Sequence, residues 1–201
     1  MKRLLSGIST VALLAASLFA PAQACTRTLY VGDGNLVLTG RNMDWREDMS
    51  SNLWALPAGM KRNGAAGSKS AEWTSKYGSV IVSGYDAGST DGMNEKGLVA
   101  NLLDLAESQY PKPVAGKPDM SLSTWLQYTL DSFATVAEAV EALRAEPFNI
   151  YAPPLPNGAP STLHLSLSDA SGDSAILEYV NGKLVIHHGK QYVVMTNSPI
   201  Y

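Results

Sequence analysis

The sequence predicts a layered α+β domain, and three features of its pattern indicate this class. Runs rich in β-branched and aromatic residues begin at residue 25, two helical patterns occupy residues 121–144, and further β-rich runs end at Asn197. The helical patterns stand together between two groups of strands and do not alternate with them. Helices segregated in this way are typical of domains in which helices pack on antiparallel sheets.

The first two strands form a predicted hairpin. The runs "CTRTLYV" and "NLVLTGR" flank the tight-turn signal "GDG". An antiparallel pair places the start of its first strand beside the end of its second. Arg41 and Asp44 follow Cys25 by 16 and 19 residues, and we therefore expect both to lie close to it.

The remaining elements follow from periodicity and turn signals. Strands are predicted at "SVIVSGY" and "GLVANLL", with the polar segment "DAGSTDGMNEK" as the loop between them. Apolar residues at helical spacing predict a helix over "SLSTWLQYTLDSF", and Thr135 with Glu138 forms a capping-box pattern that starts a second helix. After the proline-rich segment "YAPPLPNGAP", strands are predicted at "LHLSLS", "SAILEYV", "KLVIHH" and "YVVMT", with Asn181-Gly182 as a hairpin turn.

The first 24 residues have the pattern of a secretory signal peptide. Lys2 and Arg3 precede an apolar stretch over residues 4–19, and Ala22-Gln23-Ala24 supplies a small-x-small cleavage site. The apolar stretch is too short for a membrane span. Cleavage after Ala24 would give a periplasmic protein whose first residue is Cys25.

Residues 25–201 are long enough for one domain with its own core. Hydrophobic residues make up 45% of the chain and charged residues 16%. Without Lys2 and Arg3, 13 basic residues face 18 acidic ones, a formal net charge of −5. This balance, together with the lack of a basic stripe, argues against a nucleic-acid partner.

Cys25 is the only cysteine of the chain, and its thiol has three interpretations. It is a buried small hydrophobe, a lipoprotein cysteine that is acylated after export, or an N-terminal nucleophile. A lipidation signal usually has Leu three residues before the cysteine, where this chain has Ala22. The first position of a mature chain favours the nucleophile.

An N-terminal cysteine carries its own general base. A free α-amine has a pKa of roughly 7.7–8.0, so part of it is neutral and can accept a proton near neutral pH. The amine lies two carbons from the sulfur, and the thiolate is the attacking species. Export and formation of the active site would then be one event.

Four motifs resemble the choloylglycine hydrolase family, which contains bile salt hydrolases and penicillin V acylases. They are Cys25 after a signal peptide, "GRNMDW", "DGMNEKGL" and "TNSP". The segments "NLWALPAGMKR", "EWTSKYGSV" and "LHLSLSDASGDSAILEYVNGK" are similar to penicillin V acylases of Gram-negative bacteria. The resemblance implies a four-layer αββα N-terminal-nucleophile fold. It also implies hydrolysis of a linear, non-peptide amide C–N bond in a small N-acyl substrate, with no metal or organic cofactor, in a protein that forms a homo-tetramer.

The resemblance implies four catalytic residues. Cys25 attacks the amide carbonyl to form a thioester, Arg41 favours the ionised thiol, Asp44 holds the α-amine, and Asn197 donates to the oxyanion. Each has a structural alternative. Arg41 and Asp44 could form a surface ion pair worth about 0–1 kcal/mol, and Asn197 could belong to a simple turn.

Trp45 and Asp104 are the predicted substrate-binding residues. Trp45 lines the acyl pocket in the similar Gram-negative proteins, and a position in the core is the alternative. At the position of Asp104 the family carries asparagine in bile salt hydrolases and tyrosine or tryptophan in penicillin acylases. Because a carboxylate repels anions, we expect penicillin V and bile salts to be poor substrates and neutral N-acyl homoserine lactones to be favoured.

The three histidines do not form a metal set. His187 and His188 are adjacent, which points them to opposite faces of a strand. A papain-like pair of Cys25 with His164 is an alternative to the N-terminal base.

The family continues beyond the position of Asn197, whereas this chain ends at Tyr201. The resemblance therefore implies a fold that is incomplete at the C-terminus and has an unpaired sheet edge. The alternative to a hydrolase is a non-catalytic periplasmic binding protein or lipoprotein on the same scaffold. Membrane attachment is expected only if Cys25 is lipidated.

Overall fold

The computed structural model describes residues 24–201, so the predicted signal peptide, apart from Ala24, lies outside the described residues. The described part is a mixed α/β structure with two α-helices, α1 (Leu122–Ser132) and α2 (Val136–Arg144). Its strands are β1 Thr26–Val31, β2 Val37–Asn42, β3 Leu53–Leu56, β4 Lys61–Asn63, β5 Glu72–Thr74, β6 Ser79–Gly84, β7 Gly88–Asn94, β8 Val99–Asp104, β9 Asp119–Ser121, β10 Asn149–Tyr151, β11 Leu163–Ser168, β12 Ser174–Val180, β13 Lys183–His188 and β14 Val194–Thr196. Neither helix is long and apolar enough to cross a bilayer.

The predicted N-terminal hairpin is confirmed. β1 and β2 pair antiparallel, with Thr26 opposite Asn42 and Arg27 opposite Arg41. The other edge of β1 pairs with β14, so Thr26 also lies opposite Thr196. A small sheet of order β14-β1-β2 results, and it brings the two ends of the described chain together beside Cys25.

The larger sheet has seven antiparallel strands in the order β13-β12-β11-β8-β7-β6-β3. The predicted loop "DAGSTDGMNEK" is wrong in its central part, because β7 (Gly88–Asn94) forms an inner strand there. Its polar side chains have partners within the protein: Ser89 donates to Gln127 at 2.8 Å, and Asp91 pairs with Arg41. Composition suggested a solvated loop, whereas these contacts let a polar strand lie inside the sheet.

Both helices begin as predicted. Ser121 caps α1 by accepting a hydrogen bond from the backbone of Ser123 at 3.3 Å. Thr135 caps α2 by accepting from the backbone of Glu138 at 3.2 Å. The Glu138 carboxylate accepts from the backbone of Ala134 at 2.8 Å, one residue before the partner that a capping box predicts. Each cap satisfies a backbone donor that the first helical turn leaves unpaired.

Apolar side chains pack on both faces of the large sheet. The helices lie on one face, where Trp125, Leu126 and Leu130 of α1 join the main core. The small sheet lies on the other face and forms a second cluster with it, made of Cys25, Leu103, Ile176 and Met195. The cysteine therefore sits between the two sheets.

The small sheet covers only part of the large one. Leu53, Val80 and Met93, on β3, β6 and β7, are 73%, 47% and 53% exposed. They line an open groove of about 930 Å³ that runs to the free edge of β2. An apolar sheet face is therefore left open beside the free edge of the smaller sheet.

Candidate active site

Cys25 lies at the start of β1, at the wall of a cavity. Its side chain is only 4% exposed, and its Sγ contacts the backbone carbonyl of Asp44 at 3.7 Å. The cavity has a volume of about 250 Å³ and extends from Cys25 to the first turn of α1. Most of its wall is apolar and includes Met49, Leu122 and Leu155. Burial alone does not make this thiol inert, because its sulfur faces a space that a ligand can enter.

Asn197 holds the backbone nitrogen of Cys25. Its Oδ1 accepts a hydrogen bond from that nitrogen at 2.5 Å, and its Nδ2 donates to the carbonyl oxygen of Asp104 at 2.6 Å. The first partner is a donor and the second an acceptor, so only one orientation of the amide satisfies both. Asn197 therefore joins the start of β1 to the end of β8.

Arg41 lines the same cavity as Cys25 and is bound on two sides. Its Nη1 pairs with the Asp91 carboxylate, and its Nη2 donates to the carbonyl oxygen of Leu102 at 2.9 Å. Asn101 donates to the other Asp91 oxygen at 2.8 Å. Burial raises the pKa of Asp91, and the attraction of Arg41 offsets only part of that rise.

The suggested surface ion pair of Arg41 with Asp44 is therefore wrong, since Asp91 is the partner of Arg41. The sequence interpretation missed Asp91 because it assigned "DAGSTDGMNEK" to the loop between two strands. The local sequence carries no strand signal here, because Ser89, Thr90 and Asp91 are three consecutive polar residues and do not alternate with apolar ones.

The carboxylate of Asp44 does not contact Cys25. It accepts a hydrogen bond from Asn42 Nδ2 at 2.8 Å, and the same Nδ2 lies 3.3 Å from the carbonyl oxygen of Ala24. In this uncleaved chain the nitrogen of Cys25 is a peptide nitrogen with one N–H, and Asn197 accepts that hydrogen bond. The expected contact between Asp44 and a free amine thus stays a prediction.

Trp45 and Asp104 both line the cavity. The indole Nε1 of Trp45 donates to the hydroxyl of Tyr85 at 2.7 Å. The Asp104 carboxylate accepts from the Thr162 hydroxyl at 2.9 Å. The structure therefore brings Cys25, Arg41, Trp45 and Asp104 around one space.

Each of the three histidines pairs with a carboxylate, and over the described residues none forms a hydrogen bond with Cys25. Nδ1 of His164 is 2.9 Å from the carboxylate of Glu178, and both side chains are buried. His187 approaches the other Glu178 oxygen at 3.8 Å, whereas His188 contacts Asp173 at 2.8 Å. The papain-like pair of Cys25 with His164 is not formed. Over residues 24–201, no group of histidines, cysteines and carboxylates could hold a metal ion.

Arg27, two residues after Cys25, is a buried charged residue that the sequence interpretation did not assign. Its Nη2 donates to the carbonyl of Leu167 and the hydroxyl of Ser174, and its Nη1 donates to the carbonyl of Tyr192, each at 3.1 Å. Burial lowers the pKa of its guanidinium to about 10. Strand alternation could have indicated this position, because residues two apart share a face, and Cys25 faces the core.

Comparison with known proteins identifies the family to which this chain belongs. The family profile of linear amide C–N hydrolases matches residues 25–201. The chain belongs to the choloylglycine hydrolase family of that class.

Individual relatives agree with this assignment. The penicillin V acylase of Pectobacterium atrosepticum is 52% identical over 211 residues, covering 100% of this chain and 56% of the relative. The bile salt hydrolase/transferase of Clostridium perfringens is 33% identical over 184 residues, covering 88% of this chain and 54% of the relative. The structure of penicillin V acylase from Agrobacterium tumefaciens superposes with a TM-score of 0.82 at 58% identity, covering 88% of this chain and 53% of that one. A mutant conjugated bile acid hydrolase from Clostridium perfringens superposes with a TM-score of 0.75 at 29% identity. The match covers 88% of this chain and 54% of that one. The chain thus spans about half the length of the relatives it matches.

Proposed function

We propose that this protein hydrolyses the non-peptide amide C–N bond of small N-acyl compounds, with Cys25 as its nucleophile. The observation that carries the proposal is the position of Cys25. Its thiol faces an apolar cavity, and its own nitrogen is held by Asn197 at 2.5 Å. An apolar cavity suits an acyl group, and the printed names of the relatives, penicillin V acylase and bile salt hydrolase, support the reaction class.

The nucleophile becomes active when its peptide bond to Ala24 is cleaved. In this proposal residues 1–24 are a signal peptide that is removed in the periplasm. Cleavage converts the nitrogen of Cys25 into a neutral α-amine with a lone pair and two hydrogens. Asn197 Oδ1 keeps one of those hydrogens in a hydrogen bond, and the Asp44 carboxylate accepts another.

The reaction then needs no other base. The α-amine takes the thiol proton while Sγ attacks the amide carbonyl carbon. The resulting ammonium protonates the leaving nitrogen as the C–N bond breaks, which leaves a thioester on Cys25. Water attacks the thioester after giving a proton to the α-amine, and that proton returns to the sulfur as the carboxylic acid leaves.

Arg41 and Asn197 provide the positive and polar groups that this reaction needs. The guanidinium of Arg41 favours the thiolate, and its contacts with Asp91 and Leu102 keep it in place. Asn197 Nδ2 carries two N–H groups, and one of them is used by the carbonyl of Asp104. The second serves the oxyanion, since preorganised amide donors are effective in that role.

The charges around the cavity favour a neutral substrate. Asp104 contributes a carboxylate to its wall, and the charge of Arg41 is compensated by Asp91. An anionic group near these residues would meet a carboxylate and no uncompensated cation. We therefore propose that neutral N-acyl homoserine lactones are better substrates than penicillin V or conjugated bile salts.

The same proposal includes the four-layer αββα arrangement of the whole domain. The open groove beside Leu53, Val80 and Met93 supports it, because further strands of the small sheet would cover these side chains. Helices on the outer face of the small sheet would form the fourth layer.

The test is a combination of intact mass and acyl transfer on protein isolated from the periplasm. We expect a mass that begins at an unmodified Cys25. Brief incubation with an N-acyl homoserine lactone should add one acyl group to the wild type and none to Cys25→Ala, while free homoserine lactone is released.

Two results would overturn the proposal. A lipid on Cys25, seen as a mass excess of a few hundred daltons, would favour the lipoprotein alternative. A free Cys25 that reacts with iodoacetamide but neither accepts an acyl group nor releases amine would favour a non-catalytic binding protein.

A further inference from the structure

Three segments around the acyl cavity meet in one hydrogen-bond network. The hydroxyl of Tyr85 accepts from Trp45 Nε1 at 2.7 Å and from Asn157 Nδ2 at 3.2 Å, and it donates to the carboxylate of Glu47. The same Asn157 Nδ2 also donates to Glu47 at 2.6 Å. A phenol hydroxyl has one hydrogen and two lone pairs, so that of Tyr85 is fully used.

Each member of this network comes from a segment that forms part of the cavity wall. Trp45 and Glu47 follow β2, Tyr85 follows β6, and Asn157 lies in the proline-rich loop, defined here as residues 153–160. Trp45 and Tyr85 line the cavity themselves, and Leu155 lines it from the loop. The network thus ties together three walls of a space that also contains the thiol.

The proline-rich loop depends on Asn157 for its polar attachment. Within the loop, the backbone of Leu155 donates to Ala159, and that of Gly158 donates to Leu155, each at 2.8 Å. The Ser161 hydroxyl, next to the loop, donates to the carbonyl of Pro153. Over the described residues, the other hydrogen bonds that connect residues 153–160 to the rest of the chain are the two from Asn157 Nδ2. The Oδ1 of Asn157 also accepts from the backbone of Ala159 at 2.9 Å, so loss of this side chain would remove one bond within the loop and both bonds to the opposite wall.

The segment that carries Tyr85 is itself held in a defined conformation. Tyr85 and Asp86 have φ angles of 53° and 51°, a region that costs a side-chain-bearing residue energy unless its surroundings hold it. Asp86 accepts hydrogen bonds from Trp54 at 3.1 Å and from Ser83 at 3.2 Å. These contacts hold the turn and aim the Tyr85 hydroxyl at the loop.

We propose that Glu47, Tyr85 and Asn157 form a latch that fixes the proline-rich loop over the acyl cavity and thereby sets the preferred length of the acyl chain. The inference rests on the proposed function, since it concerns the acyl group of that substrate. With the latch closed, Leu155 bounds the cavity at a fixed distance from Cys25. With the latch open, the loop moves away, so the preferred chain loses wall contacts and longer chains gain space.

The test measures binding without turnover. In the Cys25→Ala background, calorimetry with N-acyl homoserine lactones of four to twelve acyl carbons gives an affinity profile for each latch variant, Asn157→Ala and Tyr85→Phe. Asn63→Ala is the matched control for Asn157→Ala, because the Oδ1 of Asn63 likewise accepts a backbone hydrogen bond two residues on, at 2.9 Å, but Asn63 lies outside the cavity wall.

We expect each latch variant to lose about fivefold in affinity at the preferred chain length, the size that one hydrogen bond typically accounts for. The profile should become flatter toward longer chains, and amide exchange over residues 153–160 should be faster. The Asn63→Ala protein should keep both the profile and the exchange of the parent.

Two results would reject the latch. If both latch variants keep the profile and exchange of the parent, the latch is wrong and the proposed function is untouched. If the parent with an intact latch binds no lactone at any length, the proposed substrate class fails, and chain-length selection fails with it. The intact-latch parent therefore tells the two failures apart.

Discussion

Asn197 and Cys25 are 172 residues apart in sequence, yet the side-chain oxygen of Asn197 accepts a hydrogen bond from the backbone nitrogen of Cys25 at 2.5 Å. The amide nitrogen of Asn197 binds the carbonyl oxygen of Asp104 at 2.6 Å. One side chain thus sets the position of Cys25 relative to the end of β8. Any catalytic role of Cys25 depends on this junction between the two sheets.

Replacing Asn197 with alanine should lower kcat for amide hydrolysis by about 10²–10³, the usual cost of losing one oxyanion donor. The change removes the oxyanion donor and the hydrogen bond that holds the nitrogen of Cys25. Single-turnover acylation rates measure the effect. Ser198→Ala is the neighbouring control, because its hydroxyl binds Glu107 at 2.6 Å and does not contact Cys25. An Asn197→Ala protein within tenfold of the wild type would contradict the assignment.

Replacing Asp104 with asparagine should improve hydrolysis of anionic substrates. Removal of the carboxylate charge is expected to raise kcat/KM for penicillin V by about fivefold, since two like charges about 4 Å apart repel by about 1 kcal/mol in a water-filled, open site. The value for a neutral N-acyl homoserine lactone should change by less than about twofold, because that substrate carries no charge to repel. Asp104→Trp tests stacking on the phenyl ring of penicillin V in the same assay. Penicillin V turnover that neither variant changes would reject the role of Asp104 in substrate selection.

Replacing Arg27 with alanine should destabilise the protein by about 3 kcal/mol or more. The variant leaves the acceptors on Leu167, Ser174 and Tyr192 without their buried donor and creates a cavity next to β1. Urea unfolding measures the loss. Arg144→Ala is the control, because Arg144 is exposed at the end of α2, and its loss should cost less than about 0.5 kcal/mol.

The stability of the protein should depend on pH through Glu178. Burial raises the pKa of this carboxyl, but hydrogen bonds from His164 and from the backbone of Tyr201 outweigh burial, so its pKa lies below the ordinary value of 4.5. The unfolded chain therefore takes up the proton first as the pH falls, and the stability from this group is present above about pH 4.5 and is lost below it.

Urea unfolding at several pH values between about pH 6 and pH 3 tests this linkage. The free energy of unfolding should fall more steeply with acidification in the wild type than in Glu178→Gln, which has no carboxyl to protonate. Glu141→Gln, at an exposed position of α2, should keep the slope of the wild type. Equal slopes in all three proteins would mean that Glu178 makes no contribution of this kind.

Much of the fold could be predicted because its signals are local. The hairpin at Asn181-Gly182 is confirmed, with φ angles of 51° and 72° that few residue pairs other than Asn-Gly adopt easily. The helices were predictable from their apolar spacing and their caps. β7 was not, because its strand identity depends on partners far along the chain. Asp91 is compatible with an inner strand only because Arg41 and Asn101 lie beside it.

The sequence by itself determined the position of Cys25 behind a cleavage pattern, the α+β class and the motifs that indicate the family. These features can be recognised in the sequence because they depend on residue type and on spacing along the chain. Only the tertiary structure decided that Arg41 pairs with Asp91, that Asn197 holds the nitrogen of Cys25, and that Asn157 reaches Tyr85. The partners in each of these contacts are at least 50 residues apart in sequence. Such contacts depend on how the two sheets and their loops pack, and packing at that distance leaves no local signal in the sequence.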